Sequence, residues 1–176
     1  MSNESLRYPV GRFTMPGTLT TSERTDAIAT FAALPAQFRA AVAGLSVAQL
    51  DTPYRPEGWT VRQVVHHVSE SHMNAYIRLK FALLEERFTV KPYDENAWTT
   101  FPDVAVAPIE ASLSIVDGVH ARMVTIWRLL TPAQFARTMH HPENGPMSLD
   151  DQLAMYAWHA RHHLAHISSL RLRMGW

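Results

Sequence analysis

The chain has 176 residues, enough for one domain that buries a single apolar core without covalent staples. Charged side chains are 18% of it and cancel to a formal net charge of zero, so no basic field is present to collect nucleic acid or an anionic membrane surface. Cysteine is absent, which excludes disulfides, thiolate ligands and a cysteine nucleophile, and leaves nitrogen and oxygen as the donors for any metal.

The N-terminal MSNESLRYPVGRF has no long apolar stretch, and no later run reaches the length of a membrane-spanning helix, so a soluble cytoplasmic protein of one domain over residues 1–176 is expected. A first helical region, about Ser22 to Gly44, places Ile28, Phe31, Phe38, Val42 and Leu45 at near-helical spacing, and Pro35 is expected to kink or split it. A short turn from Ser46 to Leu50 follows. The second helix opens after Gly58-Trp59, where Thr60 and Gln63 have capping-box spacing, and runs to about Glu86. Its valine-rich start would also suit a strand, but the apolar pattern continues through Ala75, Leu79, Ala82 and Leu83, too long for one.

The polar, proline-rich stretch from Val90 to Pro108 reads as a long surface connection of the kind that carries function. Ile109, Leu113, Val116, His120, Met123, Trp127 and Leu130 mark a third helix, ending before Thr131-Pro132, with a helical turn from Thr131 to Phe135. After the loop HHPENGPM, Ser148 and Asp151 form a second cap-like pair and open a fourth helix that nearly reaches the C-terminus. Four long amphipathic helices make the chain all-α, a four-helix bundle.

Seven of the ten histidines lie in two short segments, His66 to His72 and His159 to His166. Residues four apart share a helix face, so HARHHLAH offers two pairs to one ion, His159 with His163 and His162 with His166. The apolar face of this helix holds Leu149, Leu153, Tyr156, Ala160, Leu164, Ile167 and Leu170. His159 and His163 lie on its edge, whereas His162 and His166 turn further toward the polar side, which favours the first pair. A third ligand should come from helix two. There His72 sits near the centre of the apolar face and His67 shares a polar stripe with Ser71, Asn74 and Arg78, and the helical wheel does not choose between them.

The segments YPVGRF, LDTPYRPEGWTVRQVVHHVSESHMNAYIR, KPYDENAW and YAWHARHHLAHISSLRLRMGW resemble the DinB/YfiT-like superfamily, and within it the YfiT-type metal-dependent hydrolases, over nearly the whole chain. In that superfamily one histidine of helix two and an H-x-x-x-H pair of the last helix hold zinc or nickel. Matching W-T-x-x-x-x-x-x-H to Trp59 and H-x-x-x-H-x-x-x-I to Ile167 carries these roles to His67, His159 and His163. The resemblance also implies a bundle of unusual connectivity, a cytoplasmic location and a homodimer.

Three nitrogens around one divalent transition metal leave room for water or substrate, the pattern of a catalytic site, and metal-assisted hydrolysis of a small molecule is the leading expectation. All-imidazole ligation admits zinc, nickel or copper. No H-E-x-x-H motif supplies a proton shuttle; Glu70, one turn past His67, is a candidate, and Asp94, Glu95, His141 and Glu143 would reach the site only if their loops folded over it. Relatives that use low-molecular-weight thiols, such as bacillithiol, mycothiol or glutathione, make a thiol S-transferase the alternative, and a non-catalytic metal-stabilised module the third reading. His72 and His120 are expected as hydrogen-bonded core histidines, and His66, His162 and His166 at the surface or supporting the ligands. Trp59, Trp98, Trp158 and Tyr156 would line a pocket or the core, and Arg78 and Asn74 would orient substrate or face solvent.

Overall fold

The computed structural model describes residues 3–176. Its elements in chain order are α1 (Asn3–Arg7), α2 (Thr21–Val42), α3 (Val47–Leu50), α4 (Val61–Leu84), α5 (Glu95–Thr99), α6 (Pro102–Val106), α7 (Ile109–Leu129), α8 (Pro132–Phe135), β1 (Thr138–His141), β2 (Gly145–Ser148) and α9 (Leu149–Met174). The long helices α2, α4, α7 and α9 form a four-helix bundle. Both α2 and α4 pack on α7 and on α9, so these two consecutive long helices sit across the diagonal of the bundle and α4 lies beside α9.

Three of the four long helices, α2, α4 and α9, start at capping boxes. The side chains of Thr20, Thr60 and Ser148 accept the amide N–H of Glu23, Gln63 and Asp151, whose side chains accept in return from the cap backbone. At the far end of α9, Gly175 takes a left-handed conformation (φ 70°) that a side chain would strain, and stops the helix there.

Pro35 does not split α2, which runs unbroken from Thr21 to Val42. The proline removes one N–H from the helical ladder, and the carbonyl four residues earlier, on Phe31, accepts from His120 instead. The connection from Val90 to Pro108 is less irregular than its composition predicts, since Asp94 caps α5 and Pro102 sits in the first turn of α6. The HHPENGPM segment, expected as a loop, forms the antiparallel pair β1–β2, with Thr138 opposite Ser148, His141 opposite Gly145, and a left-handed Gly145 (φ 75°) after the turn. Two four-residue strands give too little alternation to stand out in sequence.

The apolar core falls into two clusters along the bundle axis. One gathers Phe31, Leu79, Met123, Trp127, Leu149 and Leu153, the other Leu34, Phe38, Val61, Val65, Leu113 and Ile167. Between them come His72 on α4, His120 on α7 and His159 on α9, with His67 and His163 beside the second cluster, so a polar layer crosses the bundle where the two clusters meet. The start of α2 is pinned to α9 by Arg24, which makes a two-pronged contact at 2.7 Å with the buried Asp150, while the Leu19 amide just before α2 donates to the same carboxylate at 3.2 Å.

Candidate metal centre

The adjacency of α4 and α9 brings His67 opposite the His159–His163 pair. His67 Nε2 lies 3.3 Å from His159 Nε2, and His163 Nε2 lies 3.2 Å from the same atom. One ligand atom from each of the three falls within 4.8 Å of the others, and His67 and His163 are buried. An ion with tetrahedral bonds of about 2.0–2.1 Å separates its ligand atoms by about 3.3 Å, so these separations match a site of that geometry. Trp59 packs against the His67 ring at 4.6 Å and stacks parallel to His163 at 6.1 Å, which restricts both rings.

Burial governs the protonation of this group. It pushes His67 down to about 4, assisted by the charge of His162, and pushes His159 and His163 well below the ordinary histidine value. Three neutral imidazoles each keep a lone pair, as metal ligation requires. Among the described residues the buried Nδ1 atoms of His67 and His163 have no hydrogen-bond partner, whereas His159 Nδ1 lies 3.2 Å from His72 Nε2.

The group opens into a cleft of about 330 Å³ walled by Trp59, Ser71, Arg78, Tyr93, Trp158 and the β1–β2 turn. The two loops that sequence left at a distance do fold over it: Glu95 begins α5 on one side, and His141, Glu143 and Asn144 come from the hairpin on the other. Asp94 is spent as the cap of α5. Burial raises the Tyr93 hydroxyl to about 12, against a hydrogen bond to Ser71, so it stays protonated on the cleft wall. Arg78 donates to the Lys91 carbonyl at 3.2 Å and faces the Tyr93 ring.

Glu70 is placed elsewhere, on a neighbouring cavity with Trp98, Phe101 and Asp103, where burial and then Asp103 raise its pKa. Asn74 turns back onto the Glu70 carbonyl. Of the two places expected for His66, His162 and His166, at the surface or supporting the ligands, the surface one is corrected: all three are buried. His66 Nδ1 meets Ser112 Oγ at 2.7 Å. His162 stacks on Trp158, and His166 lies under the Tyr54 ring at 3.9 Å and donates from Nε2 to the Arg7 carbonyl, so the N-terminal segment covers a face that the wheel of α9 alone reads as polar. His72 and His120 are core histidines, as expected, at 0% and 1% exposure. His141 and Glu143 were expected at the site only if their loop folded over it, and no strand signal was strong enough to show the hairpin that brings them there together with Asn144.

Fold and site together define a class. The sequence profile of the DinB superfamily matches residues 30–167, and the chain belongs to that superfamily. Its likeness to particular members spans almost its full length. A protein of Bacillus mycoides is 47% identical over 98% of this chain and 99% of its own, and one of Oceanobacillus iheyensis is 46% identical over 97% and 98%; both carry the name "Putative metal-dependent hydrolase". The solved structure of YfiT from Bacillus subtilis, described as "a probable metal-dependent hydrolase with an unusual four-helix bundle topology", superposes with a TM-score of 0.95 at 42% identity, covering 98% of this chain and 99% of that one. Among the described residues no helix is long and apolar enough to cross a membrane.

Proposed function

We propose that this protein is a metal-dependent hydrolase of small molecules whose ion is held by His67, His159 and His163. The observation that carries the reading is the convergence of three neutral imidazoles at the floor of an open cleft, with the Nε2 atoms of buried His67 and His163 at 3.3 and 3.2 Å from that of half-buried His159. Their all-nitrogen donor set suits zinc or nickel. A divalent ion so held supplies Lewis-acid polarisation and lowers the pKa of a coordinated water to roughly 7.

The chain's own residues do the rest. Trp59 and Trp158 form the apolar side of the cleft and exclude water from one flank of the histidines. Arg78, a cation on the wall, orients an anionic or carbonyl oxygen of the substrate. The backbone N–H of Glu143 donates to His141 Nδ1 at 3.3 Å, so neutral His141 carries its proton on Nε2 and serves as a hydrogen-bond donor. Glu143 and Glu95 are the carboxylates on the cleft wall and the groups to hold a transferred proton.

A second reading, transfer of a low-molecular-weight thiol to an electrophile, is favoured by one observation: the three-histidine group includes no carboxylate. A thiol near pKa 8.5 needs less help from a base than water does. The deciding experiment offers the Zn²⁺- and Ni²⁺-loaded protein a panel of esters and amides, and in parallel bacillithiol, mycothiol or glutathione with an alkyl halide. Metal-dependent ester or amide cleavage supports hydrolysis, and thiol consumption without cleavage selects the transferase. Metal that raises the melting temperature with no turnover in either arm leaves a stabilised, non-catalytic module.

A further inference from the structure

Among the described residues, His159 alone of the three candidate ligands is supported from behind, and the support is a chain of imidazoles crossing the whole bundle. His159 Nδ1 is 3.2 Å from His72 Nε2, His72 Nδ1 is 2.7 Å from His120 Nε2, and His120 Nδ1 is 2.9 Å from the carbonyl oxygen of Phe31. The Phe31 ring stacks on His120 at 3.7 Å with the planes 3° apart and holds it in place.

The direction of this chain follows from counting protons. A carbonyl oxygen only accepts, so the His120 proton must be on Nδ1. His72 and His120 are 0% and 1% exposed, and the hydrogen bonds of their rings run to imidazoles and a carbonyl, so both rings are neutral. A neutral imidazole has one N–H, so His120 Nε2 accepts from His72 Nδ1–H, and His72 Nε2 then accepts from His159 Nδ1–H. His159 is left with its lone pair on Nε2, the atom that faces His67 and His163. Reversing His72 or His120 would break the contacts on both of its sides, and reversing His159 would leave its Nδ1 and His72 Nε2 as two acceptors face to face.

The anchor exists because of Pro35. In an unbroken helix the Phe31 carbonyl would accept from the amide of residue 35, and proline has none. That carbonyl is a dead end for protons, so the chain orients and does not conduct.

We infer that His72 and His120 are positioning residues which, anchored on the Phe31 carbonyl that Pro35 frees, hold His159 in the one tautomer able to ligate a metal through Nε2. This rests on the metal reading above for its purpose, but the order of protons is a property of the metal-free chain.

The test uses full-length protein with ¹⁵N-labelled histidine. Long-range ¹H–¹⁵N correlation spectra of the metal-free wild type should show His72, His120 and His159 each protonated at Nδ1; an Nε2–H on any of them overturns the inference, with no variant required. Ni²⁺ titration then reads the consequence. His72→Phe, which removes the acceptor for His159, should weaken Ni²⁺ binding about 10–100-fold and spread His159 over both tautomers. His72→Gln, whose side-chain oxygen replaces Nε2 as acceptor, should restore most of the affinity. Equal losses in the two variants, or wild-type affinity in His72→Phe, would overturn the inference. Failure of the wild type to bind Ni²⁺ or Zn²⁺ would refute the metal reading while the tautomer order stood on its own spectrum.

Discussion

Burying so many imidazoles makes acid the natural enemy of this fold. His67 and His120 are held neutral down to about 4, His162 also to about 4, and His166 to about 3, in each case chiefly by burial. In the unfolded chain each returns to about 6.5. The folded pKa is therefore the lower one: the unfolded state takes up protons first, the stability is fully present above about pH 6.5, and it is lost as the pH falls toward the folded values. At pH 5 each of these groups has forfeited about 2 kcal/mol, and four together on the order of 8 kcal/mol, against the roughly 5–15 kcal/mol that holds a whole domain. Metal-free protein should accordingly unfold between pH 6 and 4.5, before most carboxylates titrate. Urea unfolding followed by circular dichroism at half-unit intervals from pH 8 to 4 measures the slope, which should show an uptake of several protons on unfolding near pH 5.5. A free energy that stayed flat from pH 7 to 5 and fell only below pH 4 would refute the reasoning and transfer the acid lability to the carboxylates.

Other consequences are narrower. Asp150→Ala strips the partner from Arg24 and the acceptor from the Leu19 amide, and should cost about 3–5 kcal/mol, seen as a drop of roughly 6–20 °C in melting temperature. His163→Ala should weaken Zn²⁺ or Ni²⁺ binding in calorimetry by more than the roughly 10–100-fold that losing a supporting partner costs, whereas His162→Ala should still bind one ion per chain. Saturating the wild type at about 100 times the dissociation constant should add about 2.7 kcal/mol of stability at neutral pH, and the gain should shrink below pH 5 as protons compete for the same nitrogens.

Sequence was enough for the four long helices, because periodicity over 20 or more residues and the Thr60 and Ser148 caps are local properties. It was enough as well to put His159 with His163, and His162 with His166, on shared helix faces, since a four-residue spacing does so whatever packs against them, but the packing of α4 on α9 decides which pair faces His67. Glu95 and Glu143 were named as possible approaches, but only the folding of α5 and the hairpin put them on the cleft wall.

Tertiary structure decided what depends on neighbours distant in sequence. The wheel of α4 could not rank His67 against His72 because both point inward and both reach His159, one at Nε2 on the cleft side and the other at Nδ1 on the side of α7, and only the placement of α4 between α7 and α9 decides which. His162 and His166 are buried by Arg7, Tyr8 and Tyr54, residues more than 100 positions away. Pro35 reads in sequence as a break in a helix. In the fold it is the source of an unclaimed carbonyl, and a carbonyl finds its donor on another helix only after the chain has closed around it.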